Sequence, residues 1–150
     1  MKEVTGDLWD FHDAGEWIAI TTNGDVNKRG DAVMGRGVAL QAKQRYPFLP
    51  RDFAYRLNEN GNYPYVFQDL KIVTFPVKHH WFEAASVELI ERSALIIAHH
   101  SDSIIYHRNQ SEILYLPRPG CGNGGLSWDD VRPIIEPIFD DRFVVVSLPT

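Results

Sequence analysis

The chain has 150 residues, 44% hydrophobic and 23% charged, enough for one domain with its own core and no staples. A formal charge of −5 and a pI near 5.6 argue against a protein that grips nucleic acid along a basic face. They leave open a single modified nucleotide, which needs a pocket rather than a stripe of lysines. Cys121 is the only cysteine, so no intrachain disulfide forms and a reducing compartment fits. The first residues lack the apolar stretch of a signal peptide, and no apolar run reaches the about 18 residues of a membrane span. The expectation is a single cytoplasmic domain over residues 1–150, with no membrane partner.

Residues 4–9 read as a short mixed strand, closed by the polar residues 10–15. Trp17-Ile18-Ala19-Ile20-Thr21-Thr22 is β-branched and aromatic, the composition of a buried strand, and stops at the turn Asn23-Gly24-Asp25. Residues 26–34 carry no period and read as a loop. Val38 to Tyr46 reads as a helix stopped by Pro47. Residues 47–64, rich in proline and asparagine, read as an irregular connection with one helical turn over 51–57.

Tyr65-Val66-Phe67 and Lys71 to Phe75 read as a hairpin around Gln68-Asp69. A helix is expected over 83–99, where Val87, Ile90, Ala94 and Ile97 fall near 3.6-residue spacing. Short strands are expected over 104–108 and 112–116. Ser127 fits the N-cap of a helix over 128–139, with Asp129 and Asp130 favourable to its dipole. Residues 143–148 read as a last buried strand. The alternation predicts an α/β fold with a mixed sheet between helical layers.

Two glycine-rich loops stand out, each leading into a helix. They are Gly35-Arg36-Gly37-Val38-Ala39 and Gly120-Cys121-Gly122-Asn123-Gly124-Gly125-Leu126. Glycine lets backbone approach phosphate oxygens, and the N–H groups of a helix start point at negative charge. A pair of such loops reads as a diphosphate clamp, with ADP-ribose the first choice of ligand, although two structural turns would carry the same residues. Gly120-x-Gly122-x-x-Gly125 fits the dinucleotide fingerprint, yet only 25 residues follow it, too few for the rest of a Rossmann domain.

Asp25-x-Asn27-x-x-Gly30 opens like a calcium loop but puts Arg36 where a bidentate glutamate is required. The paired histidines are adjacent in sequence, without zinc-ligand spacing. No metal and no cofactor is expected. Asn23 stands where an amide can bond a sugar hydroxyl, and equally where a turn residue would stand. Lys78 follows a strand and Pro76 among aromatics and histidines. It reads either as a surface lysine or as one that attacks or polarises a substrate. Cys121 reads as a packing residue before a nucleophile.

Taken together, Gly6-Asp7-Leu8, the strand ending in Asn23, Val33 to Leu40 and Gly120 to Trp128 resemble the macrodomain family. Phe75-Pro76-Val77-Lys78-His79-His80-Trp81 and Gly122 to Trp128 resemble the DNA-repairing antitoxin branch (DarG type), to which the terminal ADP-ribose glycohydrolases are related. The resemblance covers nearly the whole chain. It implies a three-layer α/β/α macrodomain with a central mixed β-sheet and an ADP-ribose cleft at the strand ends.

By that resemblance, Asp7 accepts from the adenine amino group with Leu8 beside it, and Asn23 reaches the distal ribose. Gly35, Arg36, Gly37, Val38 and Ala39 form one wall of the diphosphate site, and Gly120, Cys121, Gly122, Asn123, Gly124, Gly125 and Leu126 the other. Lys78, working with Asn23, takes the catalytic place. Two features differ: the 23–31 stretch is longer than the antitoxin loop, and Gly124 stands where the terminal glycohydrolases carry an acid. Any acid assisting Lys78 is then Asp25 or Asp31, which the residues alone do not rank. The implied activity is removal of ADP-ribose from a nucleobase or protein side chain. A non-catalytic ADP-ribose reader and an ADP-ribose 1″-phosphate phosphatase are the alternatives. The expected partner is ADP-ribose or an ADP-ribosylated macromolecule, DNA or protein, bound by a monomer.

Overall fold

The computed structural model describes residues 1–104 and 113–149. Their strands are β1 (Lys2–Thr5), β2 (Trp17–Thr22), β3 (Val66–Phe67), β4 (Ile72–Pro76), β5 (Leu114–Leu116) and β6 (Phe143–Ser147). Their α-helices are α1 (Leu8–Asp13), α2 (Gly37–Arg45), α3 (Leu49–Asn60), α4 (Val87–Ile104) and α5 (Trp128–Ile135). The strands form one sheet in the order β1-β6-β5-β2-β4-β3, parallel except where β3 meets β4. The mixed sheet expected from the alternation is present.

A parallel strand must be covered on both faces, and β2 meets that condition. Trp17, Ile18, Ala19 and Ile20 are all at most 1% exposed, and their alternation splits them between two cores. Trp17 and Ala19 join Val73, Phe75, Leu114, Phe143 and Val145 under α4 and α5, against Ile90, Ala94, Ile97, Val131 and Ile135. Ile18 and Ile20 join Ile72 and Val146 under α1, α2 and α3, against Leu8, Ala39, Ala42, Phe53 and Leu57. Two helical layers on one sheet make the expected α/β/α sandwich.

Four elements depart from the expectations. The strand expected over 4–9 is β1 followed by a helix, because Asp7 caps α1 by accepting from the Trp9 N–H at 2.9 Å. The irregular connection expected over 47–64 contains the 12-residue α3. Pro50 sits in its first turn, where a missing N–H costs nothing. Leu49, Phe53, Ala54 and Leu57 bury one stripe, and Gly61 ends the helix at φ 83°. Helix α4 starts at Val87 rather than at 83, with the Ser86 hydroxyl accepting from the Leu89 N–H at 3.2 Å. Helix α5 stops at Ile135, short of the expected 139, with Glu136 as its C-cap still in the αR region. Of the strand expected over 104–108, Ile104 closes α4 and the rest lies outside the described residues.

The buried Ser93 of α4 donates to the Pro76 carbonyl at 2.7 Å and ties this helix to the end of β4. Ser93→Ala leaves that carbonyl without its side-chain partner. It should cost about 1–3 kcal/mol of stability, measured by urea unfolding with an unchanged m-value.

Candidate functional site

The parallel strands end on one edge of the sheet. After β2 the chain passes to α2 on one face; after the neighbouring β5 it passes to α5 on the other. Open α/β sheets bind ligands at such a divergence. A cleft of about 510 Å³ lies there. It runs from the β1 and β6 ends (Asp7, Leu8, Val146, Leu148) past β5 to the β2 and β4 ends (Thr22, Asn23, Val77, Lys78). Four inter-strand intervals give it a length of about 19 Å, which suits two nucleoside-sized ends joined by a diphosphate.

The two glycine loops form the walls of the middle of this cleft. Gly35, Arg36, Gly37, Val38 and Ala39 all line it, as do Gly120, Gly122, Asn123 and Gly124. Arg36 occupies the N-cap of α2 without a side-chain cap bond, so the first N–H groups of this helix are uncapped beside the cleft. The loops also meet each other: a Cβ at Gly37 would stand 3.1 Å from the Asn123 side-chain nitrogen.

Within the second loop the glycines have different duties. Gly120, at φ 74°, and Gly124 are buried. A Cβ at Gly124 would lie 2.5 Å from the Gly120 carbonyl oxygen and 2.8 Å from Ala85. Leu126 N–H donates to Gly120 O at 2.9 Å, and Ala85 N–H to Gly124 O at 2.9 Å, which folds the loop onto the start of α4. Gly122 and Gly35 are exposed and have open space where a side chain would project.

Cys121, Gly125 and Leu126 do not line the cleft. Cys121 donates to the Pro119 carbonyl at 3.4 Å, and burial pushes its thiol above the ordinary range against the pull of Arg118. A thiol so placed is a poor thiolate, in keeping with its reading as a packing residue. Leu126 packs on the α4–α5 core.

At the far end, register decides the geometry. Thr22 pairs with Pro76, so Asn23 and Lys78 emerge from adjacent strands. The Thr22 carbonyl accepts from Val77 N–H at 3.0 Å, which holds the two exits together. Asn23 donates to the Val33 carbonyl at 3.0 Å and accepts from Asp25 N–H at 2.9 Å. One amide hydrogen and one lone pair of that side chain are left for a ligand. The Lys78 side chain is half-buried, with its Nζ 3.4 Å from the Trp81 carbonyl, a long contact that leaves the amine loosely held.

The two acids of the 23–31 loop are distinguished by their partners. Asp31 pairs with Arg51 at 3.1 Å. Asp25 reaches the turn after Lys78, accepting from Trp81 N–H at 2.8 Å and lying 2.8 Å from His80 Nδ1. Gly24 N–H donates to the His79 carbonyl at 3.2 Å, and Asn62 to the Lys78 carbonyl at 2.9 Å. Asp25 does not line the cleft; its two carboxylate oxygens hold the backbone and imidazole of the Lys78 turn. The longer loop is itself ordered by Asn27, whose side-chain oxygen accepts from Arg29 and Asp31 N–H at 3.0 Å each.

Sequence reasoning gives no site role to Arg118, Trp81, Gln41 or Thr22, all of which line the cleft. Arg118 stacks over the Trp128 ring at 5.1 Å, and Gln41 accepts from the Trp9 indole at 2.8 Å. Thr22 carries a buried hydroxyl with no partner among the described residues. The one available signal for Arg118 is its place in the chain, a cation just before the Pro119-Gly120 step into the second glycine loop. Among the described residues no group of His, Cys, Asp and Glu could hold a metal ion, and no helix is long and apolar enough to cross a membrane.

The Asp25–His80 pair titrates in a definite sense. Burial raises the Asp25 pKa, but the Trp81 N–H and His80 bonds outweigh it and leave the carboxyl below its ordinary value. The bond to Asp25 raises that of His80 above the ordinary 6.5. The pair is therefore present above the ordinary carboxyl range, weakens as pH falls through the lowered Asp25 pKa, and weakens as pH rises through the raised His80 pKa. Proton NMR should place the His80 titration above 6.5. Asp25→Asn should return it to about that value.

No protein-family model matches the chain. It is 32% identical over 109 residues to the DNA ADP-ribosyl glycohydrolase of Mycobacterium tuberculosis, covering 67% of this chain and 30% of that protein. With the DNA ADP-ribosyl glycohydrolase of Thermus aquaticus it shares 28% over 119 residues, 69% of this chain and 30% of the relative. The chain thus spans about a third of the curated relatives it matches. Among solved structures, the macrodomain of Mycobacterium tuberculosis DarG superposes with a TM-score of 0.73 at 26% identity, over 99% of this chain and 97% of that one. The macrodomain of Thermus aquaticus DarG gives 0.68 at 27%, over 99% and 97%. Thermosipho africanus DarTG in complex with ADP-ribose gives 0.72 at 21%, over 99% and 42%, a likeness of fold. With its sheet, its cleft and its two glycine walls, the chain belongs to the macrodomain family, among the DarG-like macrodomains.

Proposed function

We propose that this domain binds ADP-ribose along the cleft and hydrolyses the bond that joins it to a carrier, with DNA the first carrier to test. The observation that carries the reading is the convergence of Asn23 and Lys78 at one end of a cleft whose middle is walled by two glycine loops. The relatives named DNA ADP-ribosyl glycohydrolase support both the reaction and the choice of DNA.

In this reading the adenine lies by Asp7 and Leu8, and the diphosphate between the uncapped start of α2 and the 120–124 backbone. Oriented amides stabilise its charge without reorganising. The distal ribose then comes to Asn23, whose spare amide hydrogen and lone pair can hold its hydroxyls near attack geometry. Lys78 acts at the anomeric carbon. As the amine it attacks that carbon; as the ammonium it stabilises the charge left on the departing base or carboxylate. In either mode water supplies the hydroxyl that ends on the ribose, and the carrier leaves with a proton. Asp25 works through the turn rather than as an acid, since both its oxygens are engaged. Binding by a monomer in the cytoplasm completes the proposal.

Lys78→Ala should lower ADP-ribose release from an ADP-ribosylated oligonucleotide at least about 100-fold, a loss typical of a group acting at the reacting centre, while calorimetry still detects ADP-ribose. Turnover equal to the unsubstituted chain would remove Lys78 from the mechanism. Binding without turnover by the unsubstituted chain would make the domain a reader. Release of phosphate from ADP-ribose 1″-phosphate alone would make it a phosphatase.

The clamp is tested where a side chain fits. Gly35→Glu and Gly122→Glu project into open space. They should abolish ADP-ribose binding while leaving thermal unfolding within a few degrees of the parent. Gly124→Ala instead meets the Gly120 carbonyl at 2.5 Å and should lower the melting temperature outright. Unaltered affinity in both glutamate variants would place the diphosphate elsewhere.

A further inference from the structure

Beyond the cleft, the turn after Lys78 carries two large aromatic residues that the fold does not bury. Trp81 is 53% exposed and Phe82 is 68% exposed. Trp81 lines the cleft, and its carbonyl lies 3.4 Å from the Lys78 amine. The pair therefore flanks the end of the cleft where the carrier must sit, not the adenine end.

The turn is held firmly for a segment so exposed. Asp25 accepts from Trp81 N–H and lies 2.8 Å from His80 Nδ1, Glu83 accepts from His80 N–H at 3.1 Å, and Asn62 and Gly24 donate to the carbonyls of Lys78 and His79. The His80 ring lies parallel to Phe82 at 5.6 Å and 6°, and Trp81 meets Phe82 edge-on at 5.8 Å and 87°. Hydrogen bonds with Asp25, Asn62, Gly24 and Glu83 fix the turn, while Trp81 and the face of Phe82 turned away from His80 keep aromatic surface exposed. A ring pre-ordered in this way loses little entropy when a ligand stacks on it.

The charge of the chain narrows what that ligand is. With a formal charge of −5, the domain cannot derive much affinity for a strand from phosphate neutralisation. Stacking on aromatic faces is the remaining sequence-tolerant way to hold single-stranded nucleic acid.

We infer that Trp81 and Phe82 form a stacking platform for bases of a single-stranded nucleic acid next to the ADP-ribosylated one, with Asp25 as the positioning residue that holds the platform beside Lys78. The inference rests on the ADP-ribose reading of the cleft and on DNA as the carrier, and adds to them the residues that receive the bases beside the ADP-ribosylated one. It makes carrier recognition a matter of base faces, separate from recognition of the ADP-ribose.

The test uses the full chain with Lys78→Ala to prevent turnover. Two affinities are compared: for a single-stranded oligonucleotide bearing one ADP-ribosylated base, by fluorescence anisotropy, and for free ADP-ribose, by calorimetry. The oligonucleotide should bind about tenfold more tightly than free ADP-ribose. Phe82→Ala should remove most of that advantage and Phe82→Trp should keep it, with free ADP-ribose affinity unchanged in both. Raising the salt should alter the ratio little, since stacking and not phosphate contact sustains it. Equal affinities for the two ligands, an advantage that survives Phe82→Ala, or the same advantage for an ADP-ribosylated protein would each overturn the platform. Failure of the unsubstituted chain to bind free ADP-ribose would overturn the cleft reading and the platform with it. That outcome is recognised by calorimetry alone.

Discussion

The parallel pairing of β2 with β5 on one side and β4 on the other governs this molecule. It brings three strand exits to one edge, and the following helices leave β2 and β5 toward opposite faces of the sheet. The cleft is the space between those departures. Because β2 is buried on both faces and its register with β4 matches Thr22 to Pro76, the Asn23 and Lys78 exits are set by backbone pairing and not by the loops themselves. A one-residue slip would move Ile18 and Ile20 into the wrong core as well as moving Lys78, so packing and site geometry are specified together.

The cleft walls are made of backbone. In the second loop Gly120 and Gly124 pass so close to each other and to Ala85 that no side chain fits at Gly124, whereas Gly122 and Gly35 leave room. Glycine is thus required at Gly120 and Gly124 by contact within the protein, and at Gly35 and Gly122 only if a ligand comes close. The opposite end of the cleft relies on side chains. Asn23 accepts from Asp25 N–H, and Asp25 in turn holds Trp81 N–H and His80, so a single chain of hydrogen bonds joins the residue facing the distal end to the turn that carries Lys78. The 23–31 loop gives this network its reach, because Asn27 folds it into a compact turn with Asp25 at its base.

The elements that the residues alone misplace share a cause. Prolines across 47–64 read as breakers, although Pro50 falls in the first turn of α3, where it is harmless, and the stripe of Leu49, Phe53, Ala54 and Leu57 needs only that start. Asp7 reads as part of a strand, yet its carboxylate accepts from Trp9 N–H and opens a helix. In both places a local signal has two meanings, and the burial of the neighbouring apolar residues selects one.

By itself the sequence determined the buried strands β2, β4 and β6, the helix α2 and the two glycine loops, because period, turn residues and loop glycines are local properties written in consecutive residues, whereas Asn23 and Lys78 stood out there only through the family resemblance. Tertiary structure decided what depends on distance across the sheet. It kept Gly35 to Ala39 and Gly120, Gly122, Asn123 and Gly124 on the cleft while turning Cys121, Gly125 and Leu126 away, and it brought in Arg118, Gln41 and Trp81. It separated Asp25 from Asp31 by giving one to the Lys78 turn and the other to Arg51. Residues 56 positions apart met there because β2 and β4 lie side by side, a proximity that strand pairing creates and no local pattern records.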